Sequence, residues 1–224
     1  MRSNAEDLTT RARIRDAAIG RFGRDGFSRA TVRAVATDAG VSPGLVIHHF
    51  GSKAGLREAC DQYVLNQTAT QGREKVDPGS TGRLIQDYLN NPGQYTEEIA
   101  YIRRSLGDES DAGDAFFDAV VNQCQDIVQT GIEAGTIRKF DDIRSIAVVI
   151  ASNSLAFLML GRHLSRTLGA PTVEPNGIGP DLLRQLTLPL LEIYTHGFYS
   201  DARFLNAARE ALEGNNNNGR EHAP

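Results

Sequence analysis

The spacing of apolar residues constrains the fold most, because it follows a helical period along almost the whole chain. In the first segment Ile14, Ala18 and Phe22 lie four residues apart and therefore share one helix face. No stretch shows the alternation with a period of two that is typical of a half-buried strand. The sequence predicts an all-α protein of about nine helices. The helices beyond the N-terminal segment are predicted near 81–90, 94–106, 111–134, 141–168 and 180–199.

Residues 31–50 have the pattern of two short helices joined by a tight turn. Thr31 and Ser42 suit N-cap positions, and Pro43 follows at a first helical position, where its missing N–H costs nothing. Gly40 tolerates the positive φ of a tight turn, and Ala36 is small enough for two helices to cross closely. This pattern predicts a helix-turn-helix, whose second helix has the width of the DNA major groove.

The charge distribution agrees with a polyanionic partner at the N-terminal end. The net charge is −4, yet residues 1–60 hold ten Lys and Arg against six Asp and Glu. The remaining residues hold 14 basic and 22 acidic side chains. A basic end on an acidic body is typical of a chain that binds nucleic acid with that end.

The run from Ile14 to Leu56 closely resembles the N-terminal DNA-binding domain of TetR-family transcriptional regulators. The resemblance covers roughly residues 10–57 and implies a DNA-binding domain at 1–57, followed by a helical ligand-binding and dimerisation domain at 58–213. Residues 214–224 are polar and low in complexity and are predicted to form a disordered tail. The features that carry the resemblance are the Gly26-Phe27 pair, the Ala30-Thr31 start, the Ala39-Gly40-Val41-Ser42 turn, the His48-His49-Phe50 ending and Lys53.

The resemblance also implies which residues contact DNA. Arg33 would reach a base or a phosphate, Leu45 would pack on a thymine methyl group, and Lys53 would pair with a phosphate. The family usually has a tyrosine at the position of Ile47, so its phosphate contact is either lost here or supplied by His48. The complete set of predicted DNA contacts is Thr31, Arg33, Ser42, Pro43, Gly44, Leu45, Ile47, His48, His49 and Lys53.

The resemblance implies a pocket for a small-molecule effector among helices four to eight. Asn153 stands at the centre of the apolar run from Ile146 to Leu160, and a buried amide there would need a hydrogen-bond partner. Each candidate could instead be an ordinary core residue, and that alternative stays open. The predicted ligand contacts are Tyr88, Tyr101, Phe116, Gln123, Asn153, Phe157 and His163.

The family's last two long helices form a four-helix interface between subunits, and here 141–168 and 180–199 offer suitable apolar residues. Packing within one chain is the alternative use of the same residues. The run from Ile146 to Leu160 is shorter than the ~20 residues of a membrane span, which favours a buried helix and no membrane partner. A dimer would place two recognition helices about 34 Å apart, in adjacent major grooves of a palindrome.

Catalytic and metal-binding interpretations find little support. The Gly40–Gly44 segment matches a nucleophile elbow in letters, but that motif needs a strand before its serine. His48 and His49 are adjacent, so on a helix they point about 100° apart and cannot chelate one ion. No cofactor, metal or enzymatic activity is predicted.

The sequence therefore predicts a cytoplasmic homodimeric repressor that a small-molecule effector releases from operator DNA. Two alternatives remain: a helical enzyme that processes small molecules and retains a vestigial helix-turn-helix, and a DNA-binding structural protein without an effector.

Overall fold

The computed structural model describes residues 4–75, 77–91, 93–171 and 178–218, and within these residues all regular structure is helical. The predicted all-α class is confirmed. The described residues form ten helices: α1 (Asn4–Asp25), α2 (Val32–Asp38), α3 (Pro43–Phe50), α4 (Lys53–Lys75), α5 (Pro78–Asn90), α6 (Thr96–Leu106), α7 (Asp111–Glu133), α8 (Ile143–Leu168), α9 (Pro180–His196) and α10 (Arg203–Asn218).

Helix α10 is the difference from the predicted nine helices. Its last residues belong to the segment that was predicted to be a disordered tail from 214 onwards, but the helix continues to Asn218. The rest of that segment, 219–224, lies outside the described residues. The polar asparagine run suggested disorder because it lacks apolar residues, whereas helix formation also depends on the preceding turns.

The chain divides into two compact units, residues 1–182 and residues 183–224. The first contains α1–α8 and the first turn of α9, and the second contains the rest of α9 and α10. Within the first unit we call α1–α3 the head and α4–α8 the body. The domain boundaries proposed after residues 57 and 213 remain predictions.

Local hydrogen bonds build the head as its sequence pattern predicts. The Thr31 hydroxyl accepts the N–H of Ala34 at 3.1 Å, and the Ser42 hydroxyl accepts the N–H of Leu45 at 3.2 Å. Gly40 has φ +64° in the turn between α2 and α3. These contacts confirm the two N-caps and the turn residue, so they fix the angle at which α3 leaves α2.

The core of the head continues into the body. Buried Val35 and Val46 from the head belong to one cluster with Leu56 of α4, Tyr101 of α6 and Phe116 of α7. The α1 helix also approaches α6 closely, because a Cβ added at Gly23 of α1 would lie only 3.1 Å from the Ala100 Cβ of α6. Because the two parts share apolar core, the head is held on the body by packing as well as by chain connectivity.

Helix α8 has one buried side and one uncovered side. Ala147, Ala151, Gly161 and Ser165 are buried, whereas Val149 remains 63% exposed in the single chain. Only 11% of its most apolar 18-residue window is buried in the single chain, so the predicted burial of this helix is partial there. By length and composition alone, α8 is also the one helix among the described residues that could cross a membrane.

Candidate nucleic-acid interface

One face of the head consists of the predicted DNA-contacting residues. The α2–α3 pair buries Val35, Ala36 and Val46, and the opposite side of these helices points to solvent. Leu45 and Lys53 are half-buried at the margin of this side. We call this surface the outer face, and its exposed residues are Thr31, Arg33, Ser42, Pro43, Gly44, Ile47 and His48.

The N-terminal turn of α3 offers unobstructed backbone. A Cβ atom added at Gly44 would come no closer than 4.0 Å to another atom, the Ser42 hydroxyl oxygen. The exposed Ile47 follows one turn later on the same side. A helix that presents a glycine and an apolar side chain can approach the base edges closely and contact thymine methyl groups.

The positive charge available to DNA is concentrated on few side chains. Arg21 and Arg24 share Asp38 as an ion-pair partner, and each has a second carboxylate nearby, Asp25 for Arg21 and Glu97 for Arg24, so their charge is largely offset within the protein. Arg33 is exposed, and it forms no ion pair within the part of the chain that the structure describes. An exposed, unpaired arginine on α2 is well placed for a phosphate or a base.

Two of the predicted contacts are oriented differently from the rest. The Lys53 ammonium donates to the carbonyl of Ser28 at 3.3 Å, so this side chain reaches the turn between α1 and α2 in the absence of DNA. The His49 side chain is only 4% exposed, and its Nε2 lies 3.6 Å from a carboxylate oxygen of Asp7 on α1. His49 therefore contacts the head itself in this structure, and its predicted DNA contact remains untested.

The seven predicted ligand contacts are not gathered at one place. Tyr101 and Phe116 are fully buried in the core that head and body share. The Gln123 amide donates to the carbonyl of Leu65 at 2.8 Å, which joins α7 to α4. Tyr88 and Phe157 are half-buried.

Asn153 and His163 are exposed in the chain, which corrects the expectation that Asn153 is a buried amide. The sequence around Asn153 is apolar, but the Asn153 side chain is exposed on α8. Two clefts of the first unit are lined by head residues and by the turn between α6 and α7. Neither cleft is lined by any of the seven candidates, whose ligand-binding role remains a prediction.

A charged cluster that the sequence did not indicate lies where the head meets the body. Arg57 of α4 pairs with Asp108 after α6, and the Tyr101 hydroxyl donates to Asp61. No motif marks these residues, because the partners come from distant parts of the chain. The one local signal was the aromatic Tyr101, which was interpreted as a ligand contact.

Comparison with known proteins agrees with this architecture. Residues 14–60 match the family model for bacterial regulatory proteins of the tetR family, and residues 93–200 match that for the tetracyclin repressor-like C-terminal domain. The HTH-type transcriptional regulatory protein RaaS of Mycobacterium tuberculosis is 34% identical over 214 residues, which cover 93% of this chain and 96% of the relative. The HTH-type regulator BetI of Paraburkholderia phytofirmans is 39% identical over 80 residues, 34% of this chain and 41% of the relative.

Solved structures support the same fold. The transcriptional regulator FadR from Bacillus subtilis, crystallised with stearoyl-CoA, aligns with a TM-score of 0.57 at 16% identity, over 84% of this chain and 99% of FadR. A TetR-family regulator from Pectobacterium atrosepticum aligns with a TM-score of 0.51 at 20% identity, over 89% and 99%. Since both family models match in order and a relative is similar over nearly its full length, the chain belongs to the TetR family of DNA-binding transcriptional regulators.

Proposed function

We propose that this protein is a homodimeric repressor, which binds a palindromic operator with two outer faces and is released by a small-molecule effector. The observation that carries the proposal is the outer face itself. It leaves Arg33 of α2 exposed together with Gly44 and Ile47 of α3, while Val46 of α3 is fully buried. This arrangement gives a rigid helix with one free side, which is what insertion into a major groove requires.

Uncovered apolar surface supports the homodimer. In the first unit, α8 exposes Val149, Met159 and Leu160. In the second unit, α9 exposes Leu188 and Ile193. Soluble proteins rarely leave clusters of large apolar side chains in water, so a second copy of the chain is the proposed cover. Two outer faces would then bind two half-sites about one DNA turn apart, roughly 34 Å.

Release by an effector requires the body to bind the effector more tightly in the conformation that does not fit the operator. The coupling free energy is typically about 1–3 kcal/mol. The half-buried Tyr88 and Phe157 support an effector that contacts apolar and aromatic side chains of the body. A protein that acts on operator DNA functions in the cytoplasm, and we propose that location here.

Footprinting on the DNA that flanks the protein's own gene tests the proposal. We expect protection of a palindrome whose half-sites are about ten base pairs apart, centre to centre. Screening small molecules against the footprinted complex then tests for release. Absence of any protected sequence at low salt would contradict the proposed function.

Lys53→Ala is expected to weaken binding to all DNA sequences by a similar factor and to reduce the salt slope of log K by about one counterion. The reason is that Lys53 can turn from the Ser28 carbonyl to a phosphate. Binding isotherms from 50 to 200 mM salt would measure both effects. Lys139→Ala removes the same charge from the exposed connection between α7 and α8, and should leave the slope unchanged. Equal salt slopes of log K for the wild type, Lys53→Ala and Lys139→Ala would rule out a phosphate contact by Lys53.

A further inference from the structure

Arg57 lies where the head meets the body and contacts both. Its Nη1 is 2.7 Å from an Asp108 carboxylate oxygen, in the turn between α6 and α7. Its guanidinium carbon is 3.7 Å from the ring centroid of Phe27, in the turn between α1 and α2. The side chain is only 15% exposed. One side chain on α4 therefore connects a turn of the head to a turn of the body.

Tyr101 and Asp61 complete this group, which we call the junction cluster: Phe27, Arg57, Asp61, Tyr101 and Asp108. The Tyr101 hydroxyl donates to Asp61 Oδ1 at 2.6 Å, and its ring meets Phe27 edge-on at 5.4 Å. Burial raises the pKa of Asp61, while the Tyr101 hydrogen bond and the Arg57 charge act in the opposite direction. The cluster thus contains one guanidinium between two carboxylates.

The guanidinium is not fully satisfied in this arrangement. The Nε and Nη2 atoms of Arg57 are buried and have no hydrogen-bond partner. Asp61 Oδ2 lies 3.9 Å from Nε, which is close enough for ion pairing but too far for a hydrogen bond. Since buried charged donors without partners are costly, a small shift from Asp108 towards Asp61 would exchange one set of contacts for another.

A displacement of α6 at the junction cluster would be transmitted to α1 of the head almost undiminished. A Cβ added at Gly23 of α1 would lie 3.1 Å from both the Ala100 Cβ and the Tyr101 nitrogen of α6. One turn earlier, a Cβ at Gly20 would lie 2.8 Å from the Glu97 carboxylate. At Gly23 the backbones of α1 and α6 are close enough to leave no room for a flexible side chain that could absorb a displacement, whereas at Gly20 the Glu97 side chain fills the space.

We propose that Arg57 is a positioning residue: its ion pair with Asp108 within the body holds the guanidinium over the Phe27 ring of the head, and this contact sets the orientation of the head on the body and thereby the separation of the two outer faces in the dimer. This inference rests on the proposed dimeric operator binding. Breaking the pair leaves the head itself intact but lets it adopt more orientations. Operator binding must then restrict those orientations, which lowers the affinity for a two-site operator only.

The test uses Asp108→Asn in the full chain, with two duplexes: the footprinted palindrome and a single half-site. Asp108→Asn is expected to weaken binding to the palindrome by about tenfold, a loss comparable to the free energy of one hydrogen bond to a charged group. The affinity of the variant for the single half-site should be nearly unchanged. Insertion of one base pair between the half-sites should cost the variant less affinity than it costs the wild type. Asp108→Glu, which keeps the carboxylate, should restore most of the palindrome affinity.

The matched control is Asp16→Asn, because Asp16 also forms a 2.7 Å ion pair, with Arg15, but both partners lie on α1. This variant should bind both duplexes as the wild type does. An equal loss on palindrome and half-site, or no change on either, would overturn the positioning role of Arg57. Wild-type protein that binds neither duplex would instead reject the proposed function, so the two failures are distinguishable.

Discussion

Val149→Glu is expected to convert the dimer into monomers and to lower the affinity for a palindromic operator by about 10²–10⁴-fold, because the second half-site is no longer bound intramolecularly. Val149 is 63% exposed on α8, so the single chain accepts a glutamate there without losing core packing. In the proposed interface the same carboxylate would be buried without a partner, which costs several kcal/mol. Sedimentation equilibrium and operator titration would measure the two effects.

The control for this substitution is Leu8→Glu. Leu8 is also 63% exposed, but it lies on α1, outside the proposed interface. Leu8→Glu should leave the dimer dissociation constant unchanged. If Val149→Glu dimerises as tightly as the wild type, the uncovered side of α8 is not the subunit interface.

Tyr101→Ala is expected to lower the free energy of unfolding by about 3–5 kcal/mol, the usual cost of removing a large buried aromatic side chain. Tyr101 is fully buried, and its ring contacts Phe22, Phe27 and Phe116. Its loss also removes the hydrogen bond to the half-buried Asp61. Urea denaturation followed by circular dichroism would measure the change at a fixed protein concentration, since dimerisation contributes to apparent stability.

Tyr101→Phe separates the two contributions. It keeps the ring and removes only the hydroxyl, so we expect a loss of about 1–3 kcal/mol from the hydrogen bond that Asp61 no longer accepts. If Tyr101→Ala costs no more than Tyr101→Phe, the ring does not stabilise the junction of head and body. Tyr101 is buried in this core, so a contact between its hydroxyl and an effector would require the core to open. We therefore expect a stable Tyr101→Phe variant to bind the effector as tightly as the wild type does.

The seven candidate effector contacts differ widely in their burial, whereas most candidate DNA contacts share the exposed outer face. The seven candidates were chosen because they are aromatic or polar side chains among apolar neighbours. That criterion does not distinguish Tyr101, in a sealed core, from Asn153, on an uncovered helix side. Burial in the body depends on which helices pack together, and α8 presents a side that only another subunit is proposed to cover.

By itself, the sequence determined the all-helical class and the architecture of the head. The head depends on N-caps at Thr31 and Ser42, a positive φ at Gly40 and small or apolar residues at Ala36 and Val46, all within 20 positions. Such short-range effects follow from backbone geometry and local hydrogen bonds, so their pattern is visible in one sequence.

The attachment of the head to the body, and the partners of the charged and aromatic side chains around it, depend on tertiary structure. The pair of Arg57 with Asp108 and the bond of Tyr101 with Asp61 join residues from different helices and turns. The contact of His49 on α3 with Asp7 on α1 likewise joins separate helices. The physical reason is that a charged or aromatic residue has the same local preferences whether its partner is water, DNA or another helix, so only packing in three dimensions selects the partner.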